Sequence, residues 1–178
     1  MTKDRKRLTI LSAAIVAVGI LLDQLTKWLA VRYLMPLWPD SVHLIPGVVD
    51  LTYAENPGAA FGMLEGHRWV FMTVSTVAIL AMGVYLFTLK ERKDTLAAVS
   101  LAMIVSGGIG NMIDRVALGY VVDFIDVNPL FPFAIFNGAD SFVCVGAALL
   151  VLAFLLEWKR EIKAEKAKEQ ATSGDTEP

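Results

Sequence analysis

The sequence predicts an α-helical integral membrane protein with four transmembrane helices, and three observations predict it. Of the 178 residues, 56% are apolar, where a soluble domain has about half, and mean hydropathy is +0.57. The 34 charges crowd at the ends: five in residues 1–7, eleven in 157–178 and only eighteen in the 149 residues between. Four apolar runs, 8–31, 69–89, 95–113 and 136–156, each approach the ~20 residues that a helix needs to cross ~30 Å of hydrocarbon. That distribution argues against a water-soluble enzyme, a nucleic-acid binder and a secreted disulfide scaffold.

Span one follows Lys3, Arg5, Lys6 and Arg7, as a signal peptide would, but no small-x-small cleavage site follows it and the run continues through Asp23, Gln24 and Lys27. It reads as an uncleaved helix. Spans two and three are separated by a short basic loop with Lys90, Arg92 and Lys93, and five cations from Lys159 to Lys168 follow span four. Lys and Arg in the five non-spanning segments number 4, 2, 3, 1 and 5, which places both termini and the middle loop in the cytoplasm by the positive-inside rule. Residues 1–158 read as one membrane-embedded domain, and 159–178 as a polar cytoplasmic tail, helical at first and then frayed over 171–178.

The two outer segments have a different texture. Residues 36–66 hold Pro36, Pro39, Pro46 and Gly47 with short β-branched stretches such as Val48 to Tyr53, and residues 116–135 hold Val121 to Ile125 before Asn128-Pro129. Short strands and turns on the membrane surface are expected there, with Trp28, Tyr33, Trp38, Tyr120 and Phe131 at the interfacial belt. The single cysteine, Cys144, excludes an internal disulfide and reads as a buried thiol, and His43 and His67 are too few for a zinc or haem ligand set. No metal and no cofactor is expected.

Charges inside spans are costly and are functional-site hypotheses until a partner is named. Asp23 and Lys27 are four apart and can pair on one helix face; a structural ion pair pinning the helix is the plainer alternative. At the end of span three, Gly107 with Gly110 and Gly108 with Asn111 permit close helix approach, and Asn111 and Arg115 present an amide and a guanidinium to one side. Asp123 lies in the outer extended segment and Asp140 at the start of span four, where Asp140 can cap the helix or Asn137 can do so equally well, leaving the Asp140 carboxylate facing the bundle. With these orientations Asp23, Asn56, Asn111, Arg115, Asp123, Asn137 and Asp140 all arrive near the outer leaflet.

Two aspartates that share a proton can activate water, one as base while the other polarises a carbonyl. An intramembrane serine protease would need a Gly-x-Ser-Gly turn and a membrane histidine, and neither is present. A Ser-Lys dyad on Lys27 lacks an obvious serine, and the intramembrane Gly-x-Gly-Asp signature is absent, its nearest counterpart being Gly108 to Asn111. A proton-relaying transporter would spread carboxylates across the bilayer, yet spans two and four carry no charge in their inner halves. A scaffold would need no converging carboxylates. Spacing alone leaves a carboxylate site of unassigned class.

Taken together, five strings resemble the lipoprotein signal peptidase family, also called signal peptidase II: Asp23 to Lys27, Asn56 to Gly62, Gly107 to Arg115, Val122-Asp123-Phe124 and Phe136 to Asp140. The resemblance implies a membrane aspartic endopeptidase of the bacterial inner membrane. Its substrate would be a diacylglyceryl-modified prolipoprotein, cut just before the lipidated cysteine, with the active site at the outer leaflet. It implies Asp123 and Asp140 as the catalytic dyad, Asn56, Gly58, Asn111, Arg115 and Asn137 as orienting residues, and Asp23, Lys27 and Gly108 in support. It also implies four helices, a small extracytoplasmic β-sheet cradle and a helix able to cover the site. Prolipoprotein and membrane lipid are the implied partners, with no nucleic acid and a monomeric enzyme. Gly138 departs from the resemblance, because a larger apolar residue is usual there, and would leave the start of span four less packed.

Overall fold

A computed structural model describes residues 3–58, 68–88 and 95–174. Helix α1 covers Lys3–Tyr33, α2 Arg68–Thr88, α3 Thr95–Ala117 and α4 Gly138–Gly174, with strands β1 Val42–Ile45, β2 Val49–Asn56 and β3 Val121–Asp126. Helix α4 has 37 residues, about 55 Å at 1.5 Å per residue, so it outruns any bilayer. The helix continues to Gly174, four residues into the stretch 171–178 where fraying is expected.

Helices α1, α3 and α4 are long and apolar enough to span a membrane, whereas α2 offers a shorter apolar stretch, Thr73–Phe87. The outward faces of α1 and α4 expose Val18, Leu21, Leu25, Val151 and Phe154, an apolar surface that lipid, not water, would cover. Helix α3 is the centre: half of its apolar window is buried, against 17% for α1 and α4, and it packs on all three other helices. Its glycines make this possible. A Cβ at Gly107 would collide with the Ala139 carbonyl of α4, one at Gly110 with the Asp23 carboxylate of α1, and one at Gly108 would lie 2.7 Å from Ile79 of α2, so close helix approach at these positions requires glycine.

The strands form an antiparallel sheet in the order β1-β2-β3, in accord with the expected strands. Pairing of β2 with β3 sets Asn56 opposite Val121 and Ala54 opposite Asp123. Side chains alternate along β3. Val122 and Phe124 enter a core with Ala30, Leu34 and Tyr53, and this leaves Asp123 on the other face. Phe136 bridges to Ile125, which ties the start of α4 to the sheet. Asp23, Asn111, Asp123 and Asp140 thereby meet at one end of the bundle. Among the described residues of the two connecting segments the only helix is a 3-10 turn, Met35–Leu37; residues 59–67, including Ala59 to Gly62 of the second string, lie outside the described residues.

Candidate active site

Asn137 caps α4 and anchors the site. Its Oδ1 accepts the Asp140 backbone N–H at 3.0 Å while the Asp140 Oδ2 accepts the Asn137 N–H at 3.1 Å, a reciprocal capping box. Both residues that could cap α4 take part, and Asp140 faces the bundle as well, because its Oδ1 accepts the Asn111 Nδ2 at 2.7 Å. The Gly138 departure does not undo this start, since Ala139 N–H, next in the chain, donates to Asp23 Oδ1 at 3.0 Å.

Asp123 is 2% exposed and takes amide N–H groups on both oxygens, from Asn137 at 2.6 Å and from Asn56 at 3.0 Å. Burial lifts its carboxyl from the usual 3.8 to about 6; the two amides oppose that rise, and the nearby Asp140 charge adds to it. The amide orientations are determined by their other ends. Asn56 Oδ1 accepts the Gly58 N–H at 3.1 Å, Asn137 Oδ1 accepts the Asp140 N–H, and Asn111 Oδ1 accepts Lys27 Nζ at 2.9 Å. Each of these donors can only donate, so every one of the three NH₂ groups is turned toward a carboxylate.

Arg115 closes the rim. Its guanidinium donates to the carbonyls of Asn111 at 3.3 Å and Gly58 at 3.2 Å, within electrostatic reach of Asp140, Asp123 and Asp114. A cavity of about 760 Å³ opens onto Asn56, Asn111, Arg115 and Asp140 and continues between α2, α3 and α4 past Ile79, Met82, Gly108 and Ile104. Cys144 also lines it and is exposed, which corrects the buried thiol: one turn along α4 from Asp140, it faces the groove instead of the helix packing.

Beneath this pair lies a second charged cluster. Lys27 Nζ meets Asp23 at 2.9 Å and Asp114 at 3.0 Å, all three nearly inaccessible, so the three ammonium protons are accounted for by two carboxylates and Asn111. Asp114 also accepts the Val122 N–H at 3.1 Å and the Gln24 Nε2 at 3.0 Å.

Known proteins resemble this chain over most of its length. The family described as Signal peptidase (SPase) II matches residues 15–156. This chain belongs to the signal peptidase II family. The lipoprotein signal peptidase of Caldanaerobacter subterraneus subsp. tengcongensis is 47% identical over 153 residues, 86% of this chain and all of that protein. That of Halalkalibacterium halodurans is 42% identical over 150 residues, 84% of this chain and 94% of that protein. A bacterial membrane enzyme solved by the in meso method at 2.3 Å resolution superposes with a TM-score of 0.75 at 33% identity, over 84% of this chain and 90% of that one. Signal peptidase II membership makes the chain a membrane protease.

Asp23, Lys27, Asn56, Gly58, Asn111, Arg115, Asp123, Asn137 and Asp140 are gathered at one end of the bundle, with Gly108 one turn deeper along the cavity wall. Asp114 and Gln24 also join the site, and the sequence carries a signal for Asp114, which follows Asn111 by three and so shares its helix face.

Proposed function

We propose that the chain is an aspartic endopeptidase that removes the signal peptide from diacylglyceryl-modified prolipoproteins, cutting just before the lipidated cysteine, with Asp123 and Asp140 as the catalytic dyad. The observation that carries this reading is the convergence of three orientation-fixed asparagine amides on two carboxylates at the head of an apolar cavity. Two neighbouring carboxyls cannot both ionise freely, so the pair keeps one proton. The ionised member takes a proton from water as the water oxygen attacks the scissile carbonyl, and the protonated member donates to the carbonyl oxygen. Collapse of the tetrahedral adduct passes a proton to the leaving amine. Asn56, Asn111 and Asn137 hold the carboxylates, Arg115 ties Gly58 to α3 beside them, Gly108 shapes the groove, and Asp23 with Lys27 fixes the helices.

Orientation follows from the charge pattern: both termini cytoplasmic, α2 serving as the remaining span, and the dyad at the outer leaflet of the bacterial inner membrane. Residues 1–158 form the peptidase domain and 159–178 the cytoplasmic tail, in a monomeric enzyme. The diacylglyceryl group stays in the leaflet and fixes the depth of the scissile bond, which makes its contribution one of positioning. The test is the initial rate on matched prolipoproteins with and without that group in the same micelles. A large loss without the lipid is expected; similar rates would remove the lipid from the mechanism and leave a less selective aspartic protease.

A further inference from the structure

The amide that serves Asp140 differs from the other two in what holds it. Asn56 and Asn137 are fixed by backbone N–H groups of Gly58 and Asp140, which no substitution removes short of proline. Asn111 is fixed by a side chain: Lys27 Nζ donates to its Oδ1 at 2.9 Å, and its Nδ2 then donates to Asp140 at 2.7 Å. The Asn137 Nδ2 also approaches Asn111 Oδ1, at 3.1 Å, but it is divided among three acceptors and lies closest to Asp123, at 2.6 Å. The ammonium is therefore the stronger hold, and as a full charge it polarises the amide it touches.

An amide rotated by half a turn would set its carbonyl against the Asp140 carboxylate. Lys27 makes that rotation unfavourable because an ammonium has only donors. We propose that Lys27 is a positioning residue of the dyad: held by Asp23 and Asp114, it fixes and polarises the Asn111 amide so that Nδ2 stays on Asp140. This rests on the assignment of Asp123 and Asp140 as the dyad, and goes beyond a helix-pinning ion pair. The charged and titratable groups around the chain of contacts are Asp23 from α1, Asp114 and Arg115 from α3, and Asp123 from β3.

The test compares Lys27→Met with Lys27→Gln in the full-length protein acting on diacylglyceryl-modified prolipoprotein. Both lose the charge, but only Gln keeps N–H donors in the cluster, including one for Asn111. At matched folded amounts, Lys27→Met should lose kcat on the order of 10-fold relative to Lys27→Gln, the worth of one charge-assisted hydrogen bond, with KM unchanged and the acidic limb of its pH–rate profile moved to higher pH. Equal kcat values and superimposable pH profiles would overturn the proposal and leave Lys27 a packing residue. If the single variants do not fold, the same comparison is made with Asp23→Asn added to each, which restores the net charge of the cluster, and the same two outcomes decide. An inactive wild-type protein would instead refute the peptidase reading itself.

Discussion

Two clusters of identical composition, two aspartates and one cation, lie within a few turns of each other and behave differently. In the inner one, Lys27 touches both Asp23 and Asp114, and the group is sealed among α1, α3, α4 and β3. In the outer one, Asp123 and Asp140 are held by amides and a backbone N–H, the Arg115 guanidinium donates to backbone carbonyls, and the cavity opens onto Asp140. A buried cation in direct contact with two carboxylates ties α1 to α3 and makes the inner cluster a strut. In the outer cluster asparagine amides hold the carboxylates, the arrangement that the proposed acid–base work uses.

The largest effect that would sharpen this contrast is on stability. Asp114→Ala leaves Lys27 short of a partner and the Val122 N–H without an acceptor, and should cost about 3–5 kcal/mol, read as a fall in the unfolding midpoint in detergent, while the protein that remains folded still cleaves, more slowly because Lys27 is held by one carboxylate fewer. Loss of cleavage with unchanged stability would merge the two clusters into one functional unit.

Next comes pH. Because the Asp123 carboxyl rises on folding to about 6 from 3.8, its folded state holds a proton that the unfolded chain releases. Its stabilising contribution is thus complete below the unfolded value and is lost as pH rises through the folded one. Relative to Asp123→Asn, the wild type should lose on the order of 2–3 kcal/mol between pH 4 and pH 7. Parallel unfolding curves for the two proteins at both pH values would contradict the buried, amide-held carboxyl.

The smallest effect is on Arg115. Its planar fork serves two carbonyls, Asn111 and Gly58, and a lysine can serve them less well, so Arg115→Lys should lower kcat/KM by about 10-fold. Near-normal activity at matched folded amounts would reduce Arg115 to an interfacial anchor.

Much of this end of the molecule was legible in the chain. Asp23 and Lys27, four apart, announced their pairing, and glycines 107, 108 and 110 announced the close packing of α3, because helical period alone fixes both. Asn137 and Asp140 both offered a cap for α4, and spacing did not choose between them. What spacing could not give was which oxygen faces which amide. The Asp140 carboxylate both caps and faces the site, and the partner of Lys27 from α3, Asp114, depends on how far α3 is rotated against α1. That rotation is set by Gly110 seated on Asp23, a tertiary fact. Cys144 was misplaced for the same reason: apolar neighbours in sequence do not say whether a helix face meets another helix or a groove.

The central claim, that the outer aspartates are chemical and the inner ones structural, is tested most directly by one comparison. Purified wild type, Asp123→Asn, Asp140→Asn and Asp23→Asn are incubated with diacylglyceryl-modified prolipoprotein, and the substrate is weighed by mass spectrometry for loss of its signal peptide per mole of folded enzyme. The amide preserves size but cannot exchange the shared proton, so the account predicts no cleavage by Asp123→Asn or Asp140→Asn and clear cleavage by whatever Asp23→Asn remains folded. Substantial cleavage by either outer variant would contradict it.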